Sequence, residues 1–430
     1  MTRKSISTER QGVRRMIFFG RYRTANRINS VAIHLLMLCC PFAVALHAAT
    51  QPRVLTPSPS SFESLSRFTE LLDALQKNYV EPSRIHESQH TTVALRAFVR
   101  SIDPEADLLT AEEIALTNES ANGSADVGIR FALRGDYPTI VSAQDNSPAQ
   151  DAGLLEGEQL LAIDKRSLFR ARRFDVQRLM HGPANSRVTL RVVDPATGAA
   201  REFHLLRAKP AASPSVPLKF LDNGVAYCRL PEFTQPAVED LRAAMARAKK
   251  ERAAGVILDL RDNAGGTFEA AQVAASMFLP KAANIVALEY GEAGQRATFV
   301  SNAGEKFTMP LVVLVNAGTA GEAELFAAAL QDNKRARIVG SRTFGRAYLT
   351  GFVALDDGSV LSLPTAYYQR PSKGTLQGRG VTPDVIVDLP RQTERLIERM
   401  GFSTFRWPAH RTEVLATDLP LAKAMSLLAR

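Results

Sequence analysis

The chain has 430 residues, 45% hydrophobic and 23% charged, enough to bury the cores of two or three domains. Its formal charge of +9 would suit a nucleic-acid partner, but Arg3, Lys4, Arg10, Arg14, Arg15, Arg21, Arg23 and Arg27 crowd the first 49 residues against the single acid Glu9. The remainder is nearly neutral, which excludes a basic nucleic-acid surface.

The basic stretch precedes VAIHLLMLCCPFAVAL, residues 31–46, followed by HAAT. A basic lead, an apolar run and small residues at its end predict a secretory signal peptide cleaved after Ala48 or Ala49, with Met16 an alternative start. The segment 1–49 is therefore expected to be a signal peptide or, if uncleaved, an N-terminal anchor and the chain's only membrane contact. Cys39 and Cys40 lie inside it, so a cleaved chain keeps only Cys228 and forms no internal disulfide. Export to the periplasm or another extracytoplasmic space is expected.

Residues 50–118 read as a helical N-terminal region, with Phe68, Leu71, Leu72, Leu75 and Tyr79 at three- and four-residue steps. His86 and His90 have the spacing of metal ligands on one helix face, but no third ligand accompanies them, and the surface-helix reading is preferred. No metal and no cofactor are expected.

Residues 119–208 change character. GIRFAL and PTIVSA read as strands, FDVQRLMHG as a helix, and RVTLRVVD with EFHLLRA as a hairpin pair. Between them, SPAQDAGLLEGEQLLAID has Pro148 opening a short helix, Gly153 ending it, Leu154 packing inward and Gly157 turning into a strand. This segment resembles the signature of a PDZ domain. The resemblance makes Val127, Gly128, Ile129, Arg130 and Phe131 the loop whose backbone N–H groups hold a peptide carboxylate while the peptide adds as a strand.

Residues 209–390 alternate strand-like and helix-like runs: GVAYCRL, VEDLRAAMARAKK, GVILDLRD, FEAAQVAASMFL, PLVVLVN, AELFAAALQ and ARIVGSRTFG. That order predicts an α/β layer. Arg247, Lys249, Lys250 and Arg252 suit a solvated helix C-terminus, and Asp357-Gly358 marks a hairpin. Residues 391–430 read as a helical tail containing the single tryptophan, Trp407.

LDLRDNAGGTFEAA, residues 258–271, runs from a buried strand through a glycine turn into a helix, a geometry that suits an anion or oxyanion. NAGTAGEAEL, residues 316–325, is a second strand-to-helix elbow of small residues. Together with FTELLDALQKNYVEPSR, SIDPEADLLTAEE, the PDZ segment and Thr382-Pro383-Asp384, these resemble the C-terminal processing (tail-specific) peptidases, the S41 serine peptidases. The resemblance runs from about Phe62 to the end. It implies an α/β, ClpP/crotonase-like peptidase core with an inserted PDZ domain and an N-terminal helical segment, and cleavage by a Ser–Lys dyad.

Carried over position by position, the resemblance implies a disarmed site. The family elbow G-S-A-S-A-S-E falls on Gly318, Thr319, Ala320, Gly321, Glu322, Ala323 and Glu324, so Gly321 stands at the nucleophile. The lysine of T-F-G-K falls on Arg346 after Thr343-Phe344-Gly345, and the following glutamine on Thr350. Glycine cannot form an acyl-enzyme, and arginine does not release its proton near neutral pH. Gly265, Gly266 and the backbone of Glu322 are the oxyanion-hole-like positions. The expected function is a pseudopeptidase that binds protein C-termini or a regulatory partner. The alternatives are an active peptidase with relocated groups, Thr319 being the nearest hydroxyl, and a binder of a small apolar ligand.

Overall fold

In a computed structural model of the chain, the described residues are 59–121, 125–209, 216–291, 295–302, 307–372, 374–390 and 411–429, with Thr393 and Ile397. The expected leader at 1–49 and Trp407 lie outside the described residues.

The described part of a first unit, ending at Arg84, holds helix α1 (Pro59–Asn78). Its apolar positions Phe68 and Leu72 are half-buried, while Leu71 and Leu75 are exposed. The second unit, from Ile85 onward, opens with α2 (Glu87–Ile102), the short strand β1 (Asp107–Leu109) and α3 (Ala111–Ala121). Helical periodicity alone did not anticipate β1, because three residues are too few to establish an alternating pattern.

A small β-rich body follows: β2 (Ile129–Arg134), β3 (Tyr137–Ala143), α4 (Pro148–Asp151), β4 (Gln159–Ile163), β5 (Arg166–Ser167), α5 (Arg173–Met180), β6 (Arg187–Val193) and β7 (Ala200–Leu206). Its sheet runs β2-β3-β4-β6-β7, with β5 beside β4. The local logic read from the sequence holds. The Ser147 side chain caps α4 by accepting from Gln150 N–H, Gly153 has φ 72, and Leu154 is fully buried.

The larger body comprises β8 (Leu218–Phe220), β9 (Val225–Arg229), α6 (Gln235–Lys250), β10 (Gly255–Asp259), α7 (Phe268–Ser276), β11 (Asn284–Tyr290), β12 (Arg296–Val300), β13 (Leu311–Val315), α8 (Glu322–Asp332), β14 (Arg337–Gly340), β15 (Tyr348–Ala354), β16 (Val360–Gln369) and β17 (Val385–Ile386). The helices α9 (Arg411–Thr417) and α10 (Leu419–Leu428) close the chain. Its main sheet runs β17-β14-β13-β10-β9-β8, parallel except where β8 joins β9. Every residue of β9, β10 and β13 is buried, as a parallel sheet covered on both faces requires.

Alternation sorts those residues to two cores. Ala226, Cys228, Val256, Leu258 and Val313 face α6, α7 and α8, whereas Tyr227, Ile257, Val312 and Leu314 face Leu421 and Ala424 of α10. Phe233 and Phe326, both fully buried, meet at 5.3 Å in the first core, and burial stabilises each by roughly 1.5–3 kcal/mol.

A second sheet, β1-β16-β11-β12 with β15 on β16, makes β1 part of the larger body although it precedes the small one. The small body is thus inserted between segments of a single sheet.

Candidate functional site

Parallel pairing of Asp259 with Leu314 sets the ends of β10 and β13 side by side, and with them the glycine turn and the elbow. Asn316 stitches the two. Its Oδ1 accepts from Asp262 N–H at 2.9 Å and Gly318 N–H at 3.1 Å, and its Nδ2 donates to Asp262 Oδ1 at 2.8 Å. Thr319 is fully buried, and its hydroxyl donates to the Leu260 carbonyl at 2.8 Å while accepting from Asn316 N–H. That hydroxyl is a brace of the elbow with no open path to a substrate.

Gly321 stands at the N-cap of α8 with φ 61 and ψ −128, a conformation that side chains with a Cβ adopt only under strain. A Cβ placed there would lie 3.1 Å from the Ala264 carbonyl oxygen. The elbow keeps a strained turn while carrying no side-chain atom at its tip.

The glycine turn is occupied from within. Glu322 Oε2 accepts from Gly266 N–H at 2.9 Å and Oε1 from the Tyr368 hydroxyl at 2.8 Å, while its own backbone N–H also faces the carboxylate. Burial raises the Glu322 carboxyl above its ordinary value, against the lowering pull of Tyr368, Gly266 and Arg346. Gly265 departs from the sequence expectation: its N–H donates to Asn263 Oδ1 at 2.9 Å and is not free to hold an oxyanion. Of the three oxyanion-hole-like positions, Gly266 and Glu322 come together, and what they hold is the chain's own carboxylate.

Arg346 lies beside them. Its Nε donates to the Tyr348 hydroxyl at 3.0 Å, and its guanidinium sits 5.1 Å from the Tyr348 ring centroid. Burial opposes its charge, but Tyr348, Glu105 and Glu322 outweigh burial and hold its pKa above the ordinary arginine value. A permanent cation cannot serve as general base. Thr350 is exposed on β15, in register with Pro364, and no hydrogen bond joins it to Gly321, Glu322 or Arg346. Cys228 offers no substitute nucleophile, since burial and then Asp259 push its thiol up to about 12.

The residue that sequence reasoning missed is Glu324. Fully buried, its carboxylate accepts from Gly321 N–H at 3.2 Å, Gly345 N–H at 2.7 Å, Arg346 N–H at 2.9 Å and the Thr343 hydroxyl. One side chain thereby locks the elbow to the Thr343–Arg346 loop. Burial pushes it up to about 7 despite those donors. The signal was present: an acid three residues after the N-cap is the second half of a capping box.

The small body rests on this site. Ala132 and Val141 of β2 and β3 pack against Ala320, with Ala264 and Phe344 alongside, and the Arg134 guanidinium lies 4.4 Å from the Phe344 ring centroid. In the expected carboxylate loop, Gly128 has φ 77 and its N–H donates to Asp126 Oδ1 at 2.9 Å. Val127, Ile129 and Phe131 are buried in the small body's core, and Arg130 is exposed, 3.4 Å from Glu232. His86 precedes α2 as its N-cap, and His90 Nδ1 lies 2.7 Å from the His86 carbonyl. Among the described residues, no group of three or more His, Cys, Asp or Glu is placed to hold a metal ion. No helix among them is long and apolar enough to cross a membrane.

Comparison with known proteins fits this architecture. The profile of Peptidase family S41 matches residues 224–387, and that of a PDZ domain matches residues 139–194. The Carboxyl-terminal-processing protease of Synechocystis sp. is 31% identical over 325 residues, covering 74% of this chain and 75% of the relative. The chain belongs to peptidase family S41. A second relative, the Carboxy-terminal-processing protease of Bartonella bacilliformis, is 28% identical over 345 residues, 77% of this chain and 76% of that one. Among solved structures, the photosystem II D1 C-terminal processing protease superposes with a TM-score of 0.66 at 28% identity, covering 78% of this chain and 91% of that protein. The larger body is therefore the S41 peptidase fold, and the inserted small body is its PDZ domain.

Proposed function

We propose that this S41 chain is a pseudopeptidase, a non-catalytic member that binds protein C-termini, or a regulatory partner that presents one, through its PDZ domain and inherited cleft. The observation that carries this reading is the Glu322 carboxylate on Gly266 N–H, in the turn where an acyl intermediate would need its oxyanion stabilised. With that carboxyl oxygen seated on it, the Gly266 N–H is not free to receive an oxyanion. Gly321 and Arg346 remove the attacking atom and the base independently. The basic and apolar segment at 1–49 supports binding outside the cytoplasm.

Two measurements on the purified chain test it. Incubation with an unfolded, C-terminally tagged protein is expected to give no cleavage above buffer. Cleavage that survives repurification and disappears in Thr319→Val would establish relocated catalysis instead. Labelled peptides with free C-termini are expected to bind, and the same peptides amidated to bind much more weakly. Equal binding of the two forms would refute carboxylate capture, and indifference to substitution at Gly128 or Ile129 would favour a small apolar ligand in the cleft.

A further inference from the structure

β2 is one edge of the PDZ sheet and follows directly on the loop at 127–128 proposed to hold the carboxylate, so a peptide held there adds as a strand along the outer edge of β2. Along an antiparallel strand, alternate residues turn both backbone groups to the same side. Gly128 faces β3, its carbonyl accepting from Gln144 N–H at 2.7 Å. The register shift between Arg130 and Phe131 skips Val141 on β3, which leaves the alternation along β2 unbroken. The backbone N–H and C=O groups of Ile129, Phe131 and Leu133 therefore point to the open edge, while the side chains of Ile129 and Phe131 stay in the core.

That edge is partly taken. Leu133 N–H donates to Glu105 Oε1 at 2.7 Å, and Arg173 Nη1 donates to the Phe131 carbonyl at 3.2 Å. Arg173 Nη2 pairs with Glu105 Oε2, and the guanidinium lies 5.0 Å from the Phe131 ring centroid. The Glu105 side chain is only 11% exposed, so this is a packed contact and no surface pair. Both groups come from outside the strand: Glu105 from the segment between α2 and β1, Arg173 from the first residue of α5. A backbone N–H is a single donor, so Leu133 cannot serve Glu105 and a peptide carbonyl together.

We propose that Glu105 and Arg173 end the strand-addition site at Phe131, so that the PDZ groove reads only a short C-terminal segment. The inference rests on the peptide-binding reading above. Pairing opposite Ile129 and Phe131 uses peptide residues two apart, which limits the paired segment to roughly three residues. The chain upstream of them must leave the sheet, and selectivity then resides in the terminal side chains and carboxylate.

The test uses the full chain and nested fluorescent peptides, a tripeptide, a pentapeptide and an octapeptide, each with a free C-terminus ending in Ala-Leu-Val or Ala-Ala-Ala. In the unaltered protein, affinity is expected to reach its full value with the tripeptide. In Glu105→Ala, which frees Leu133 N–H, the octapeptide is expected to gain about five-fold or more, the value of one added hydrogen bond, while the tripeptide is unchanged. Affinity that climbs with length in the unaltered protein would overturn the inference and leave PDZ binding standing. The same holds for a folded Glu105→Ala variant that shows no gain. Should that variant not fold, the length series on the unaltered chain decides alone. Failure of every free-carboxylate peptide to bind the folded protein would remove the peptide-binding reading and this inference with it.

Discussion

Glu322 Oε2 sits 2.9 Å from Gly266 N–H, so the donor best placed for an oxyanion is already bonded to a carboxyl of the chain's own. Restoring only the dyad should therefore fail. Gly321→Ser with Arg346→Lys is expected to stay at background, because the nucleophile would attack toward a filled hole. Adding Glu322→Ala, which returns the position to the family's small residue, is expected to raise cleavage of a tagged substrate at least about ten-fold, a fraction of the roughly 10²–10³-fold that one oxyanion-hole donor supplies. A serine-reactive fluorophosphonate supplies the second readout, labelling the triple variant and not the double. Labelling of the double variant to the same extent would show that Glu322 is no obstacle.

Gly321 itself is a conformational choice as well as a missing nucleophile. Gly321→Ala must adopt φ 61 and ψ −128 and bring a Cβ within 3.1 Å of the Ala264 carbonyl. The expected cost is about 1–3 kcal/mol in urea unfolding, with the higher end reached if Ala264 cannot shift. A loss near zero would mean that the turn relaxes, and that the strain is not fixed by its neighbours.

How much of this could be read beforehand follows from what is local. The β10 turn, the elbow and the PDZ core segment are each short stretches whose glycines and apolar runs carry their own geometry, so Gly153, Gly265 and Gly321 were legible as turns. Strands β11 and β12 were not anticipated. In NIVALEY the burial is mixed along the strand, and one of its two partners, β16, lies some eighty residues away in sequence for the Ala287–Gln369 pair, the other being the neighbouring β12. At the site, the resemblance marked the Glu322 backbone as oxyanion-hole-like but did not reveal its carboxyl seated on Gly266. That seat depends on Tyr368 arriving from β16. Gly265 was assigned a free N–H because Asn263, two residues earlier, was not recognised as its acceptor. Long-range partners and side-chain rotamers, in contrast to turns, are not encoded within a window of a few residues.

Glu324 makes stability depend on pH in an unusual direction. Its folded pKa of about 7 lies above the ordinary value of 4.5, so between those limits the native state keeps a proton that the unfolded chain has released. The contribution is fully present below about pH 4.5 and is lost as pH rises through 7. In Glu324→Gln this part of the dependence is expected to vanish. The amide also turns a donor toward Gly345 or Arg346, leaving buried N–H groups unpaired at about 2–3 kcal/mol. Urea midpoints at pH 5 and pH 8 for both proteins measure it. A native midpoint that rises with pH, and does so equally in the variant, would remove Glu324 as the source.

Arg261 ties the tail to the catalytic-fold sheet. Its Nη1 and Nη2 each meet Asp418 at 2.9 Å, while its Nε and Nη2 bond Asp259, and Tyr227 donates to Asp259 at 2.8 Å. All four side chains are buried. Asp418 is also the N-cap of α10, accepting from Leu421 N–H at 3.1 Å. Asp418→Ala thus removes half of a buried cation's partners and a helix cap at once. The first effect is worth about 3–5 kcal/mol and the second about 1 kcal/mol, without strict additivity. Because α10 covers one face of β9, β10 and β13, hydrogen exchange should quicken first in residues 419–428 and next at Tyr227 and Ile257. Asp418→Asn, which keeps an acceptor for Leu421 and for Arg261 but loses the charge, should retain the cap and lose less. If Asp418→Ala leaves exchange in α10 unchanged, apolar packing of Leu421 and Ala424 alone holds the helix, and the ion pair is dispensable.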